Sequence, residues 1–235
     1  MRYDGGNFLK TKILITGVVL PLVFGLVLGL LLFIAAGTVF WFYGWFFLIL
    51  LYSWTVALFI WLLRYDPGLI EERTGLKSDQ PTWDRAEGVL AYPVIGVWFI
   101  IMPLDAVRFH WSQMPTWLHV VGAIVLLSSF YLIFLTYREN PYLSSAVRVQ
   151  EERGQTVVST GPYRYVRHPL YTSALLFFLG SALLLGSWIG VILGLVFEGV
   201  LAMRAVREEQ VLRKGLKGYD AYMAQVRWRF IPYVW

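Results

Sequence analysis

Long apolar runs separated by short charged stretches set the pattern of this chain. Ile13 to Gly37 contains no Asp, Glu, Lys or Arg, and neither does Thr38 to Leu63. Each run exceeds the roughly 20 helical residues needed to cross a hydrocarbon core of about 30 Å. Further apolar runs over 88–104, 117–137, 169–186 and 188–205 predict four more helices. The last two are short and meet at Gly186-Ser187, which predicts a helical hairpin. The fold class that follows is all-α: a polytopic membrane bundle with six spans in a single domain over 1–235. Residues 1–116 form its N-terminal part, and 117–235 carry the motifs described below.

The basic residues orient this arrangement. With six crossings and both termini on one side, 19 of the 20 Lys and Arg fall on that side, and Arg108 alone falls on the other. Basic loops stay in the cytoplasm, so both termini and the loops 64–87 and 138–168 are expected to be cytosolic. Trp41, Tyr43, Trp45, Trp111, Trp117 and Trp188 cluster at the opposite edge of the spans, and Trp228, Tyr233 and Trp235 lie in the tail. Such amphipathic rings favour membrane interfaces.

Composition narrows the chemistry. Apolar residues make up 58% and charged residues 15%, with a mean hydropathy of +0.60; a soluble domain carries roughly 45–50% apolar residues. The net charge of +5 then suits anionic lipid headgroups, and no nucleic-acid partner is expected. The absence of cysteine excludes disulfides, thiolate nucleophiles and iron–sulfur clusters. His110, His119 and His168 are far apart in sequence and no HExxH occurs, so no metal site is expected. No GxGxxG follows a strand, which argues against a Rossmann-type nucleotide site.

Of the connections, 36–40 and 105–116 hold no plausible catalytic set. Residues 64–87 mix charges with Pro67, Gly68 and Pro81 and are expected to be a solvated connector with one short interfacial helix, a substrate-contacting lid being the alternative. Gly25/Gly29 and Gly186/Gly190/Gly194 have the spacing that lets helix backbones approach closely within one molecule.

The loop 138–168 is longer than a turn between spans requires. It ends Thr156-Val-Val-Ser-Thr-Gly-Pro-Tyr-Arg-Tyr-Val-Arg-His-Pro-Leu-Tyr171. Pro162 and Pro169 keep Gly161 and His168 out of the helical region, and Pro169 suits the first position of a helix. His168 would then stand at a helix entrance, where free backbone N–H groups can hold an anion such as a carboxylate. Anchoring of the span to headgroups is the alternative. A second constellation, Arg204-Ala-Val-Arg-Glu208-Glu209-Gln-Val-Leu212, places Arg204 and Glu208 on one helix face. Either it is an ordinary surface pair, or Arg204 serves an anion and Glu208 an ammonium, hydroxyl or sulfonium. Glu198, deeper in the same span, should face a cavity or partner rather than lipid, and is expected to line the site.

Together these residues resemble a known family. Gly161 to Tyr171, Arg204-x-x-x-Glu208-Glu209-x-x-Leu212, then Gly218-Tyr219, Tyr222, Val226 and Pro232 are similar to the isoprenylcysteine carboxyl methyltransferase family, itself related to phospholipid N-methyltransferases. The resemblance covers about 137–235. At Gly161-Pro162 and Leu170 the chain departs from eukaryotic members and is closer to bacterial relatives. The resemblance implies S-adenosylmethionine as cofactor, enclosed by the loop and the C-terminal helices of 117–235. It implies that Gln150, Gln155, Thr156, Val157, Val158, Tyr163, His168, Pro169, Leu170, Tyr171 and Glu208 contact the cofactor. Arg204 and Glu209 would meet a lipophilic or lipid-modified acceptor, with Arg204 and Glu208 as the catalytic pair.

The acceptor stays open. A carboxylate needs only orientation and loss of water, which a bidentate pair with Arg204 could supply. An amine must first be deprotonated, with His168, Glu208 or Glu209 as candidates. Membrane sterol reductases, which use NADPH, carry a similar His-Pro-x-Tyr. They usually have Asn at the position of Leu170, and they tend to lack the Arg-x-x-x-Glu-Glu form. A scaffold or small transporter is a weaker alternative, because no transporter-type repeat is present.

Overall fold

A computed structural model of the chain describes residues 20–74 and 80–235. Its helices are α1 (Leu20–Ala36), α2 (Phe42–Tyr65), α3 (Pro67–Thr74), α4 (Thr82–Pro103), α5 (Thr116–Glu139), α6 (Pro169–Leu185), α7 (Trp188–Gly215) and α8 (Tyr219–Gln225). No strand occurs among the described residues. Helices α2, α4, α5 and α7 are long and apolar enough to cross a membrane, and α1 and α6 are shorter apolar helices. The fold is a polytopic helical membrane bundle. Residues 13–19 of the first expected span, with Arg2, Lys10, Lys12 and Lys77, lie outside the described residues.

Large apolar side chains point outward along these helices, among them Leu26, Ile34, Ile49, Ile60, Ile124 and Val196. In water they would form patches that soluble monomers rarely tolerate; against lipid they cost nothing. The interior is built around Trp98 and Phe47, both fully buried, with Leu32, Met102, Leu126 and Leu184. The Trp98 indole N–H donates to the Gly190 carbonyl at 2.8 Å, tying α4 to α7. Hydrophobic attraction between helices is weak in lipid, so close packing of small residues carries more of the association. The tightest approach, α5 against α6, uses Gly122 and Gly180. A Cβ at Gly122 would strike the Leu184 backbone nitrogen, and one at Gly180 the Leu126 nitrogen at 2.5 Å. The motif glycines also pack inside the molecule: Gly25 against Tyr52, Gly190 against Met102 and Gly194 against Phe178.

Three sequence expectations change. The span expected over 188–205 continues as helix to Gly215, so the Arg204–Glu209 segment belongs to one continuous helix. The described residues of 64–87 are not simply a solvated connector. Leu69 of α3 is fully buried with Leu62 and Leu143, and Asp84 in the first turn of α4 has no exposed surface. Glu198 is buried, but it is not part of the cleft described below, and neither carboxylate oxygen has a partner among the described residues.

Candidate active site

The loop 138–168 folds against the C-terminal end of α7 and leaves a cleft with about 900 Å³ of open space between them. Helix α3 holds the loop's near side. The Ser144 hydroxyl donates to Glu72 at 2.8 Å, and Arg148 forms an ion pair with Glu72 at 3.2 Å. The far side is a short turn, Gly161–Arg164. Gly161 takes a φ of +54° there, and a Cβ would run into the Glu139 side chain, so only glycine fits. The next segment is stitched to the C-terminal tail. Arg167 N–H donates to the Trp228 carbonyl and His168 N–H to that of Arg229, both at 2.9 Å. The Thr172 hydroxyl donates to the Phe230 carbonyl at 2.7 Å.

Pro169 is the first residue of α6 and His168 caps it in a non-helical conformation, as the two prolines predict. Helix α7 then brings its acidic pair to opposite duties. Successive helical residues point about 100° apart, and Glu208 and Glu209 diverge accordingly. Glu209 is buried behind the cleft wall. Its Oε1 accepts from Arg167 Nε at 2.7 Å and lies 3.2 Å from His168 Nε2. Its Oε2 accepts from Arg229 Nε at 3.0 Å. A carboxylate only accepts, so Nε2 of His168 carries a hydrogen towards Glu209, while Nδ1 lies 4.0 Å from Glu208 Oε2.

Glu208 faces the cleft. The Tyr171 hydroxyl donates to Glu208 Oε2 at 2.8 Å and accepts from Arg204 Nε at 3.0 Å. Tyr171 therefore stands between the two residues that sequence placed on one helix face. Arg204 Nη2 donates to the Ser145 carbonyl at 3.3 Å. Its Nη1 forms an ion pair with Asp84 and lies 3.6 Å from Glu87 Oε2. Each guanidinium nitrogen thus has an acceptor, which leaves at most two of the five N–H donors for an incoming ligand.

The cleft wall gathers most of the residues named from sequence: Gln155, Thr156, Val157, Val158, Tyr163, His168, Pro169, Leu170, Tyr171, Arg204 and Glu208. Two are elsewhere. Gln150 is 1% exposed, and its amide is spent on the Tyr142 carbonyl at 2.6 Å and on Arg153 at 2.7 Å. Glu209 is the anchor just described and has no surface in the cleft. Sequence reasoning missed Asn140, whose amide donates to the Tyr163 hydroxyl at 2.8 Å, and it missed Asp84 and Arg167. Desolvation raises the Tyr163 and Tyr222 phenols well above their usual range. Both therefore remain neutral hydrogen bonders, and the Tyr222 hydroxyl donates to the Tyr163 carbonyl at 2.8 Å. Buried Leu216 and Tyr219, with half-buried Val157 and Leu212, give the cleft an apolar part.

The family model described as Phospholipid methyltransferase matches residues 117–217. No curated protein matches the chain. The matched stretch runs from α5 to the turn after α7 and includes the loop, Tyr171, Arg204 and Glu208. With the apolar helices this match marks the chain as a membrane methyltransferase.

Proposed function

We propose that the chain transfers the methyl group of S-adenosylmethionine to a lipophilic acceptor embedded in the membrane, as a bacterial-type relative of the isoprenylcysteine carboxyl methyltransferases. The observation that carries this reading is the Arg204–Tyr171–Glu208 array beside the entrance of α6 on an open cleft. The residues present fit the cofactor. Glu208 offers a carboxylate for an ammonium, the Leu170 N–H at the α6 entrance is left for a carboxylate, and Val157, Leu212 and Leu216 offer apolar contact for a nucleoside.

The bound cofactor would supply a methyl group on a sulfonium, open to in-line displacement. The chain's own residues have three tasks. Glu208 holds the ammonium end. Arg204 and Tyr171 orient the acceptor, for which orientation and exclusion of water are the main requirements. If the acceptor is an amine, His168 in its neutral form, through Nδ1 beside Glu208, is the group placed to take a proton. A carboxylate acceptor would need no such step.

The positive-inside pattern assigns this end of the bundle to the cytosol. Reporter fusions after Trp235 and within 105–116 should give opposite sides. Binding isotherms on detergent-purified protein test the chemistry. Saturable binding of S-adenosylhomocysteine without binding of NADPH is expected, and the reverse result would assign the cleft to a reductase.

A further inference from the structure

Arg204 is held from outside its own half of the chain. Asp84 and Glu87 lie three residues apart in the first turns of α4, before the stretch that the family model matches. Asp84 is fully buried. Its Oδ2 accepts from the Val147 N–H of the cleft loop at 2.8 Å and from the Gln80 amide at 2.7 Å. Its Oδ1 pairs with Arg204. Alongside, Glu87 Oε1 accepts from Arg207 Nη1 at 2.5 Å, and the Arg207 guanidinium lies over the Trp83 ring at 5.4 Å. One face of α4 thus meets two arginines of α7, and Asp84 joins α4, the loop and α7 at a single carboxylate.

Arg204 has a competing partner. Glu208 lies four residues further along the same helix, within reach of a direct ion pair. That pair is absent here because the Tyr171 hydroxyl is interposed, accepting from one residue and donating to the other. Asp84 draws Nη1 towards α4 while Nε stays on Tyr171. Without that counter-charge, only Glu87, 3.6 Å from Nη1 and already paired with Arg207, would oppose the swing of the guanidinium onto Glu208.

We propose that Asp84 is a positioning residue: by fixing Arg204 it keeps Tyr171 interposed and leaves Glu208 available to the cofactor. The proposal rests on the methyl-transfer reading of the cleft. It implies that the site is incomplete without the N-terminal part of the chain, whose helix α4 supplies the restraint.

The test uses full-length protein in detergent and S-adenosylhomocysteine as probe, so it needs no acceptor. Asp84→Asn should weaken binding about tenfold, because Arg204 then occupies Glu208. Adding Arg204→Gln to the same chain removes the competitor and should restore affinity to within about threefold of wild type. A merely structural role would give no such rescue. Wild-type affinity in Asp84→Asn, or a double variant as weak as the single one, overturns the proposal. If Asp84→Asn alone fails to fold, a double variant that folds and binds like wild type supports it, and a double variant that also fails to fold overturns it. A wild-type protein that does not bind the probe overturns the underlying reading, and this proposal with it.

Discussion

Helix α4 and the π turn that extends it carry a fully buried aspartate at each end, and the two are used differently. Asp105 lies in the turn Leu104–Arg108. Its Oδ2 accepts from the Ser112 and Ser187 hydroxyls, both at 2.6 Å, and from the Ile189 N–H at 3.3 Å. These donors are neutral, and none of them lines the cleft. They fasten the Gly186-Ser187 hairpin turn to α4. Asp84, at the other end, has a guanidinium as partner, and that guanidinium reaches a cleft. Burial of an acid therefore says nothing by itself about catalysis. What separates the two ends is whether the acid's partner has a second surface on which a ligand can act.

The comparison breaks most sharply at Arg204. Arg204→Ala should lower turnover by about 100-fold or more, the scale on which a lost transition-state donor acts. Binding of S-adenosylhomocysteine should stay within a few fold. Single-turnover methylation beside a binding isotherm separates the two effects. Equal losses in both would mean that Arg204 only supports the fold. At the other end, Asp105→Ala orphans two buried hydroxyls and an N–H and should cost about 2–4 kcal/mol of stability. It should leave affinity for S-adenosylhomocysteine unchanged below its lowered melting temperature. A folded Asp105→Ala that binds the probe poorly would erase the distinction between the ends.

Glu208 and Glu209 sharpen the contrast within the active end. Glu208→Ala should weaken cofactor binding by roughly 1–3 kcal/mol, the value of a charge-assisted hydrogen bond. Wild-type affinity in a folded Glu208→Ala would remove Glu208 from the cofactor site. Glu209 illustrates what the sequence could show and what it could not. The Arg-x-x-x-Glu-Glu spacing showed that a charged face crowns α7, and hydropathy placed the helices that carry it. Spacing alone could not say which acid faces the cleft, because that depends on where the tail lies. The tail is fixed by backbone bonds from Arg167 and His168 to Trp228 and Arg229, about sixty residues away, and no local pattern announces such pairing. Asp84 escaped notice for the same reason: its partner is distant in sequence, and its own surroundings, Pro81-Thr-Trp-Asp-Arg85, look like an ordinary polar helix start. Gln150 is the converse case. The resemblance placed it in the cofactor pocket, but its amide is consumed by Tyr142 and Arg153 within the loop itself.

The smallest effects test whether the α6 entrance is a binding element or only an anchor. His168 and Leu170 flank Pro169, and both lie on the cleft wall. His168 is held by Glu209 through Nε2 and stacks on Tyr171 with ring centroids 5.4 Å apart, so its Nδ1 is directed and polar. Leu170 also packs against the cluster of Leu62, Leu69 and Leu143 and offers a ligand mainly dispersion contacts. His168→Ala should weaken S-adenosylhomocysteine binding about tenfold or more, the worth of one polar contact at roughly 1.5 kcal/mol. Leu170→Ala should leave affinity within a few fold, although it lowers thermal stability by thinning the Leu69 cluster. Affinity and melting temperature must be measured on the same preparations, because each variant changes both. If the two substitutions weaken binding equally and in step with their melting temperatures, the entrance of α6 only anchors the loop, and the cofactor's carboxylate must be held elsewhere.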